Sequence, residues 1–475
     1  MHIIVIGAGK IGHEIIDTLE KEGHNLSVID SKSDAASEFE SQVKFIVGDG
    51  LHNDTLLAAD IATANILIAT TGKDEVNILA CMSAHLMNPN VKTIARVRDP
   101  LYSQQIRNNA QEYHIDIVTS PDELAARSII DNLALAGALK VEQFEESALL
   151  VDIRVPHTFK YLNQPLSVIS VAARETGEYE DQSDAFNMLV ALVSHDDDVF
   201  TPNGSYEVKE NDKLSILVAE QDVAKMLEFF DLTQKPIKNC CIIGGGKITA
   251  ELLRQFGNKI HTTVIDRDLS VCESIRKQFD SISLDVLHQD ATLPKVLDDL
   301  GDFDSLVALT GIDEENILIS AYMNSLHLKN NDHLRKIITK INRNSLQHVF
   351  ERVGINTCIS PKELLSNEIL SYVRNLALNE REIVSFRKIA DGKAIAVEFA
   401  INEEIKNITN IAIKDLGPKL KKGVLIAAIL RYDANNNLSV IIPSGANMIR
   451  LQDRVVLVYK NDMNDKIHTL KDILR

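Results

Sequence analysis

The sequence predicts an α/β protein built from two tandem Rossmann-like domains, each followed by a small β-rich domain. Near the N-terminus, short apolar strands alternate with helical segments, which is typical of a parallel sheet covered by helices on both faces. A glycine-rich turn separates the first strand from the first helix, as in dinucleotide-binding folds. The same pattern returns about halfway along the 475 residues, so we predict a tandem duplication.

The two copies match in several segments that occur in the same order. HIIVIGAGKIGHEII near the N-terminus returns as NCCIIGGGKITAELL, and SVID, which ends at Asp30, returns as TVID, which ends at Asp266. Further along, IATTGKDEVNIL returns as ALTGIDEENIL, and SPDEL returns as SPKEL. An enzyme usually needs one nucleotide site and a different substrate domain. Two nucleotide-binding units in series therefore favour sensing or regulation.

The first large unit is predicted to contain five strands that alternate with helices. HIIVIG is a buried strand, and KIGHEIIDTLEKEG is a helix that ends at Gly23. A helix-like segment, SDAASEFESQ, separates the second strand from the third. The other predicted strands are NLSVID, VKFIVGDG, NILIATT and VKTIARV.

Beyond each large unit the pattern changes to short strands separated by turn residues. ALLVDIRV, MLVALVSHDDDVFTPNG and KLSILVA are matched by AIAVEFAI, VLIAAILRYDANNNLSVIIPSG and RVVLVYK. Asp196, Asp197 and Asp198 lie between two strands of the first set, and a solvated hairpin tip explains them more simply than a cation site does. The predicted domains are 1–125, 140–226, 237–364 and 381–470.

Composition and charge limit the kinds of partner. The formal net charge is -18, which disfavours nucleic acid and direct adhesion to anionic lipid. The apolar runs are too short for a bilayer-spanning helix, and no signal peptide is predicted because the apolar start runs straight into the fold motif. The five cysteines lack metal-binding spacing and are predicted to be buried thiols in a reducing cytosol. A role at a membrane would require another protein to hold the chain there.

The segment Gly7–Gly12 fits G-x-G-x-x-G in the expected context, with a strand before it and a helix after it. Gly7 would permit the tight turn, Gly9 would let a pyrophosphate approach the backbone, and Gly12 would let helix and strand pack closely. The phosphates would lie at the helix N-terminus, where free N–H groups favour anions. Asp30, about 20 residues on, would bind ribose hydroxyls and repel the extra phosphate of NADP. The alternative is a glycine turn that serves only helix packing.

Three later positions are candidates to complete the first pocket. Asp49 follows the third strand and would approach the adenine, while Thr71 and Gly72 follow the fourth strand, near the ribose or phosphates. Arg96 ends the fifth strand and would either contact a phosphate or form a salt bridge. Asp74, with the glutamate that follows it, is interpreted as a helix start, where carboxylates suit the helix dipole.

The second copy departs from the first at a few positions. It keeps the glycine turn, but Thr249 replaces the third glycine, which makes the packing of the helix against the strand uncertain. Asp290 matches Asp49, although the glycine before it is replaced. Lys340 stands where Arg96 stood, and a lysine cannot bind two oxygens in the forked manner of an arginine. The second site is therefore predicted to be the weaker one.

We find no catalytic set in the sequence. G-x-S-x-G and HExxH motifs are both lacking, and the 14 histidines do not cluster. We predict no catalytic residues and no metal site, so the chain is not expected to be an enzyme.

These motifs resemble those of the TrkA family, the regulatory subunits of bacterial Trk potassium-uptake systems. The resemblance rests on GAGKIG with Asp30, ATTGKDEVN, IARVR and SPDEL, on their second-copy partners, and on the large–small–large–small order. It implies two tandem RCK units, each with a Rossmann-like N-terminal (KTN) domain and a small α+β C-terminal domain. It also implies binding of NAD(H) and of ADP or ATP. Rings, usually homotetramers, would dock on the cytoplasmic face of a TrkH- or TrkG-like channel and gate it.

The family resemblance assigns nucleotide contacts in both copies. In the first site these are Gly7, Ala8, Gly9, Lys10, Ile11, Asp30, Asp49, Thr71, Gly72 and Arg96. In the second site they are Gly244, Gly245, Gly246, Lys247, Ile248, Asp266, Asp290, Thr310, Gly311 and Lys340. Two other functions stay open on sequence alone, an NAD-dependent dehydrogenase and a regulator of a cation–proton antiporter.

Overall fold

The computed structural model describes most of the chain. The described residues are 1–33, 39, 43–144, 148–175, 186–195, 198–232, 236–300, 302–330, 336–343, 355, 357–378, 383–389, 394–403, 408–421, 423–432, 438–443 and 445–460. The helix predicted at 33–42 lies almost wholly outside them.

The first large unit is a six-stranded parallel sheet with the strand order β3-β2-β1-β4-β5-β6, the doubly wound order of dinucleotide-binding folds. Its strands are β1 (His2–Ile6), β2 (Asn25–Asp30), β3 (Lys44–Val47), β4 (Ile66–Ala69), β5 (Lys92–Arg96) and β6 (Ile117–Thr119). The five predicted strands are confirmed, and β6 is an addition. In register, Ile6 lies beside Ile29 on one side and Ala69 on the other, so the loops after β1, β2 and β4 meet at one edge.

Helices cover this sheet, and their burial follows their sequence periodicity. In the first helix the buried residues recur at helical spacing, as an amphipathic helix requires. The helices are α1 (Lys10–Lys21), α2 (Asn53–Ala58), α3 (Asp74–Met87), α4 (Pro100–Asn108), α5 (Ala110–Tyr113) and α6 (Pro121–Ala134). The SPDEL motif starts α6, because the Ser120 hydroxyl accepts a hydrogen bond from the N–H of Glu123 at 3.4 Å and proline occupies the first turn.

The first small unit is a five-stranded antiparallel sheet with the order β10-β9-β11-β8-β7. Its elements are β7 (Lys140–Phe144), β8 (Ala148–Arg154), α7 (Leu166–Glu175), β9 (Met188–His195), β10 (Asp198–Phe200), β11 (Lys213–Ala219) and α8 (Val223–Phe229). Asp198 pairs with His195, which agrees with the predicted hairpin, and Asp196 and Asp197 lie outside the described residues.

The second half repeats both sheets. Its parallel sheet has the order β14-β13-β12-β15-β16-β17, and its antiparallel sheet has the order β18-β19-β22-β20-β21. The strands are β12 (Asn239–Ile243), β13 (His261–Asp266), β14 (Leu284–His288), β15 (Ser305–Ala308), β16 (Lys336–Lys340), β17 (Thr357–Ile359), β18 (Ile383–Ile389), β19 (Ala394–Ala400), β20 (Leu425–Tyr432), β21 (Leu438–Ile441) and β22 (Arg454–Lys460). The helices are α9 (Lys247–Phe256), α10 (Leu269–Gln278), α11 (Pro294–Asp298), α12 (Asp313–Asn330), α13 (Pro361–Leu378) and α14 (Ile413–Leu416).

The two large units exchange their last helices. Helix α6 of the first unit packs on α9 of the second, and their apolar residues share one core cluster that contains Ala125, Ile129, Leu252 and Phe256. Helix α13 of the second unit packs on α1 of the first in the same manner. Helices α1 and α9 begin at the glycine turns. Each exchanged helix therefore packs beside the helix that follows the glycine turn of the other unit.

The two small sheets also contact each other, because one core cluster contains residues of both, among them Leu150, Leu217, Ala396 and Val456. Four of the five cysteines are buried, as predicted, and Cys358 is half-buried. In the described parts of the chain, we find no helix with the length and apolarity that a membrane crossing needs.

Candidate functional site

The glycine turn of the first unit has the geometry that the sequence predicts. Gly7 has φ +99°, a conformation that favours glycine. A Cβ atom at Gly12 would lie 1.9 Å from the Gly7 carbonyl oxygen, so only glycine allows α1 to pack this close to the turn. A Cβ atom at Gly9 would meet no atom within 4 Å. The turn is therefore tight at its first and third glycines and open at its second, where a phosphate is expected.

Asp30 lies at the end of β2, directly against this turn. Its Oδ2 accepts a hydrogen bond from the N–H of Ala8 at 2.7 Å, and its Oδ1 accepts one from the N–H of Lys32 at 2.9 Å. The carboxylate thus braces the glycine turn from the neighbouring strand. It stands where an acidic residue can also receive ribose hydroxyls.

The second unit repeats this arrangement. Gly244 has φ +105°, and the Asp266 carboxylate accepts hydrogen bonds from the N–H of Gly245 at 2.6 Å and of Asp268 at 2.8 Å. Thr249 is fully buried, and its hydroxyl donates to the Gly244 carbonyl oxygen. The uncertainty over helix packing is thereby resolved, because the second turn accommodates a side chain and bonds it, whereas the first does not.

Asp49 and Asp290 both brace the turn that follows the third strand of their sheet. Asp49 Oδ1 accepts a hydrogen bond from the N–H of Leu51 at 3.0 Å. Asp290 Oδ1 accepts bonds from the N–H of Thr292 at 3.0 Å and from its hydroxyl at 2.7 Å, and the latter bond lowers the pKa of the Asp290 carboxyl. Asp290 is therefore held in the charged, hydrogen-bond-accepting form.

Thr71 is held by Asn77, a residue that the sequence analysis missed. The Asn77 side chain is fully buried, accepts from the Thr71 N–H at 2.8 Å and from its hydroxyl at 2.7 Å, and donates to the Arg96 carbonyl oxygen at 2.8 Å. Asn316 makes the corresponding backbone bonds: it accepts from the Thr310 N–H at 2.8 Å and donates to the carbonyl oxygens of Thr310 at 3.2 Å and Lys340 at 3.0 Å. The signal was present, because an asparagine stands six residues after the threonine in both copies.

Asp74 does more than start helix α3, so the interpretation of this residue as a helix start is incomplete. Its Oδ2 accepts hydrogen bonds from the N–H groups of Arg98 and Asp99, both at 2.9 Å. Asp313 likewise accepts from the N–H groups of Asn342 at 2.9 Å and Arg343 at 3.0 Å. In both units this carboxylate fixes the loop that follows the strand carrying Arg96 or Lys340.

Arg96 is half-buried, and its Nε is a buried donor without a hydrogen-bond partner among the described residues. Among the same residues we find no ion pair for Arg96. Burial lowers the pKa of Arg96, neighbouring Arg98 lowers it further, and Asp122 and Asp74 oppose these effects. Lys340 donates to the Leu309 carbonyl oxygen at 3.3 Å, and burial lowers its pKa as well.

In the second unit these residues surround a cleft of about 400 Å³. The cleft is lined by eight of the ten predicted residues, namely Gly244, Gly245, Gly246, Asp266, Asp290, Thr310, Gly311 and Lys340. The Ile248 side chain belongs to the apolar core, as does that of Ile11 in the first unit, and Lys247 is exposed. Ile11 and Ile248 can therefore offer a ligand only their backbone.

The arrangement suits an anionic ligand with a ribose. Free N–H groups at a helix N-terminus favour phosphates, and the aspartate at the end of the second strand can accept hydrogen bonds from hydroxyls. A cationic side chain lies at the end of the fifth strand. Within the described residues, we see no group of three or more His, Cys, Asp or Glu side chains arranged to hold a metal ion.

The fold and the two glycine turns define a class of protein, the tandem Rossmann-like proteins with a glycine turn and a bracing aspartate in each half. More particularly, the chain belongs to the TrkA-N domain family, whose model matches residues 3–121 and 240–361, a little over half of the sequence. The match covers both large units.

Individual relatives match almost the whole chain. The sequence is 27% identical over 470 residues to the Trk system potassium uptake protein TrkA homolog 1 of Methanosarcina mazei, covering 96% of this chain and 97% of that protein. It is 25% identical over 465 residues to the Trk system potassium uptake protein TrkA of Halomonas elongata, covering 96% and 95%.

Among solved structures, the GsuK RCK domain has the same fold, with a TM-score of 0.58, 17% identity, and coverage of 97% of this chain and 92% of that one. The GsuK channel bound to NAD aligns with a TM-score of 0.58 and 16% identity, covering 97% of this chain and 77% of that one. The prediction of tandem Rossmann-like domains with small α+β partners is confirmed.

Proposed function

We infer that this protein is a nucleotide-binding regulatory subunit that gates a membrane potassium channel of the TrkH or TrkG type. The observation that carries this proposal is the repetition, in both halves, of a glycine turn braced by an aspartate. The relatives named as Trk potassium uptake proteins match nearly the full length of the chain and support potassium transport as the context.

The proposed ligands are NAD(H) and ADP or ATP, bound by the ten residues assigned to each site. The structure of a GsuK channel bound to NAD, which has the same fold, supports NAD as one of them. The aspartate braces, together with the Arg96 Nε, which has no hydrogen-bond partner in the described part of the chain, provide the chemistry for ribose and phosphate. We propose domain limits of 1–125, 140–226, 237–364 and 381–470, which agree with antiparallel sheets that begin at Lys140 and Ile383.

The proposed assembly is a homotetrameric ring on the cytoplasmic face of the channel. Large apolar side chains are exposed on helices of both large units. Leu79 and Leu86, which are 49% and 78% exposed, lie seven residues apart on one face of α3, and Leu318 of the second copy is 67% exposed. Exposed apolar residues of this size favour contact with further copies.

The gating mechanism requires only differential binding. A nucleotide that binds one ring shape more tightly than another shifts the equilibrium between them and, through contact with the channel, its conductance. The bracing bonds supply a structural route, because Asn77 joins the loop at Thr71 to the strand end at Arg96. A ligand that moves one loop therefore moves both.

The deciding experiment measures potassium flux. Vesicles that contain a TrkH-like channel are mixed with the purified protein, with and without NADH, ADP or ATP, and light scattering gives the number of chains per particle. We expect about four chains and a flux that changes only when protein and nucleotide are present together. A monomer without effect on flux at any nucleotide would contradict the proposal. If the protein instead changes the flux through a cation–proton antiporter, it would be assigned as a regulator of that class of transporter.

A second measurement separates regulation from catalysis. NADH is incubated with the protein and common 2-hydroxy or 2-oxo acids, and the nicotinamide absorbance is followed. We expect saturable binding and no turnover, because the aspartates at the two glycine turns are engaged in bracing backbone N–H groups, whereas turnover would need an acid or base positioned on the substrate. Steady oxidation that depends on one acid would favour the dehydrogenase alternative.

A further inference from the structure

The helix exchange brings one half of the protein to the nucleotide site of the other. Helices α6 and α13 begin with SPDEL and SPKEL, and each packs on the helix that follows the opposite glycine turn. Leu124 in the first turn of α6 packs in the cluster that contains Ile11, and Leu364 in the first turn of α13 packs in the cluster that contains Ile248. The starts of both exchanged helices therefore lie at the interface between the two large units.

The second residue of each exchanged helix is where the copies differ in charge. The first copy has Asp122, and the second has Lys362 at the matching position. Both side chains are half-buried. Lys362 Nζ donates to the Asn342 carbonyl oxygen at 3.3 Å, in the loop that Asp313 fixes after strand β16. The ammonium is thus bonded to the loop after β16 of its own unit, while the helix that carries it packs on α1 of the first unit.

The charges around each residue come from both halves. Four cations act on the Asp122 carboxylate and favour its charged form. From the largest effect to the smallest, they are Lys247, Arg98, Arg96 and Lys340. Burial raises the pKa of Asp122, and these four cations oppose that effect. Burial lowers the pKa of Lys362, Lys10 of the first glycine turn lowers it further, and Asp313 and Glu14 oppose both effects.

We propose that Lys362 and Asp122 give the two nucleotide sites opposite preferences for a terminal phosphate, each acting most strongly on the site of the other half. Lys362 adds a cation beside Lys10, so the first site favours the nucleotide with the greater negative charge, a nucleoside triphosphate over a diphosphate. Asp122 places a carboxylate beside Lys247, occupies the cations that a terminal phosphate would need, and makes the second site favour the diphosphate.

This inference rests on the proposed function, since it assigns ligand classes to the same two sites. Its physical basis is the sign of one charge at matched positions. Reversing a charge that is half-buried and close to a phosphate is expected to change relative affinity by about tenfold, since partial burial leaves the interaction less screened than in bulk water. The two reversals must act in opposite directions.

The test uses the full chain with one site disabled at a time. Gly246→Asp disables the second site and keeps the first intact, and Gly9→Asp does the reverse. In each case the aspartate puts a carboxylate where the phosphates would lie. Calorimetric titration with ATP and ADP in EDTA gives the ratio Kd(ADP)/Kd(ATP). We expect Lys362→Asp to lower this ratio about tenfold at the first site, and Asp122→Lys to raise it about tenfold at the second.

Neutral variants keep the test informative if a reversal impairs folding. Lys362→Met and Asp122→Asn are expected to shift the ratio in the same directions by about threefold, and added salt should shrink every shift. Lys259→Asp is the control, because it makes the same charge change at an exposed position beyond the far end of α9 and should leave the ratio unchanged.

The outcomes separate the inference from the proposed function. If the parent protein binds nucleotides and neither the reversals nor the neutral variants change the ratio, the inference is wrong and the proposed function stands. Shifts of the same sign at both sites would also overturn it. If the parent protein binds no nucleotide at either site, both proposals fail.

Discussion

Asp30 offers the sharpest test of the first site, because it has two separable tasks. Its carboxylate braces the glycine turn through the N–H of Ala8 at 2.7 Å, and we propose that it also binds a ribose hydroxyl. Asp30→Ala removes both functions. Asp30→Asn keeps an oxygen that can accept the Ala8 N–H and loses only the negative charge.

The expected magnitudes follow from hydrogen bonds to a charged group. Each such bond contributes about 1.5–3 kcal/mol, so loss of the ribose bond should weaken NAD(H) binding by about 10- to 150-fold. Asp30→Ala should weaken it at least this much, because the turn also loses its brace. Discrimination against NADP(H) should fall in both variants, since the carboxylate that repels the extra phosphate is gone.

The assay is calorimetric titration of NADH and NADPH in the Gly246→Asp background, so that only the first site reports. Asp266→Ala in the Gly9→Asp background is the matched variant for the second site. Unchanged affinity in Asp30→Ala would refute the assigned role. Full recovery of affinity and of NADP discrimination in Asp30→Asn would show that Asp30 serves only as a brace.

The remaining predictions concern the framework of the sites. Asn77→Ala should lower the free energy of unfolding by about 2–4 kcal/mol in urea, because it leaves buried backbone groups unpaired, with Asn316→Ala similar. Gly12→Thr should weaken first-site NADH binding at least tenfold, since its Cβ atom would overlap the turn, while Thr249→Gly should be tolerated at the second site. Lys336, whose burial lowers its pKa to about 7, should make the protein more stable as pH rises from 7 to 10. Between pH 7 and 10 the lysine loses its proton in the folded protein and keeps it in the unfolded chain, so the melting temperature should rise with pH. Lys336→Met should abolish this rise.

Each of these three predictions has an outcome that contradicts it. Wild-type stability of Asn77→Ala would mean that water replaces the lost bonds. Equal tolerance of Gly12→Thr and Thr249→Gly would show that the first turn can widen. A pH profile shared by the parent and Lys336→Met would mean that the buried ammonium stays charged up to its ordinary pKa.

The sequence predicted the parallel sheets well because their strands are continuous apolar runs that end at recognisable turns. It missed β6 and β7, which are short or partly polar and gain their place by pairing with neighbours. The sequence also did not predict the exchange of α6 and α13, because each helix would bury the same apolar face on either unit. Periodicity shows which face of a helix is buried and leaves open which element covers it.

At the site, the structure brings the residues of the recognised motifs together, and their role as nucleotide contacts stays a prediction. Asp30 and Asp266 lie against their glycine turns, as their spacing indicated. Asn77 was not predicted because a lone asparagine in a helix has no distinctive pattern. Its one signal is that an asparagine stands at the same distance after the threonine in both copies. The fit of Thr249 depends on the separation of helix and strand, which sequence does not report.

The internal duplication explains why such differences between the copies are possible. In a ring of identical single-unit subunits, symmetry gives every site the same residues. Here the backbone bonds of the asparagine braces and the aspartates at the glycine turns recur in both halves. Two charged positions diverge, with Arg96 against Lys340 and Asp122 against Lys362. A fused pair of this kind can therefore carry two sites with different charged residues, which a ring of identical single units cannot do.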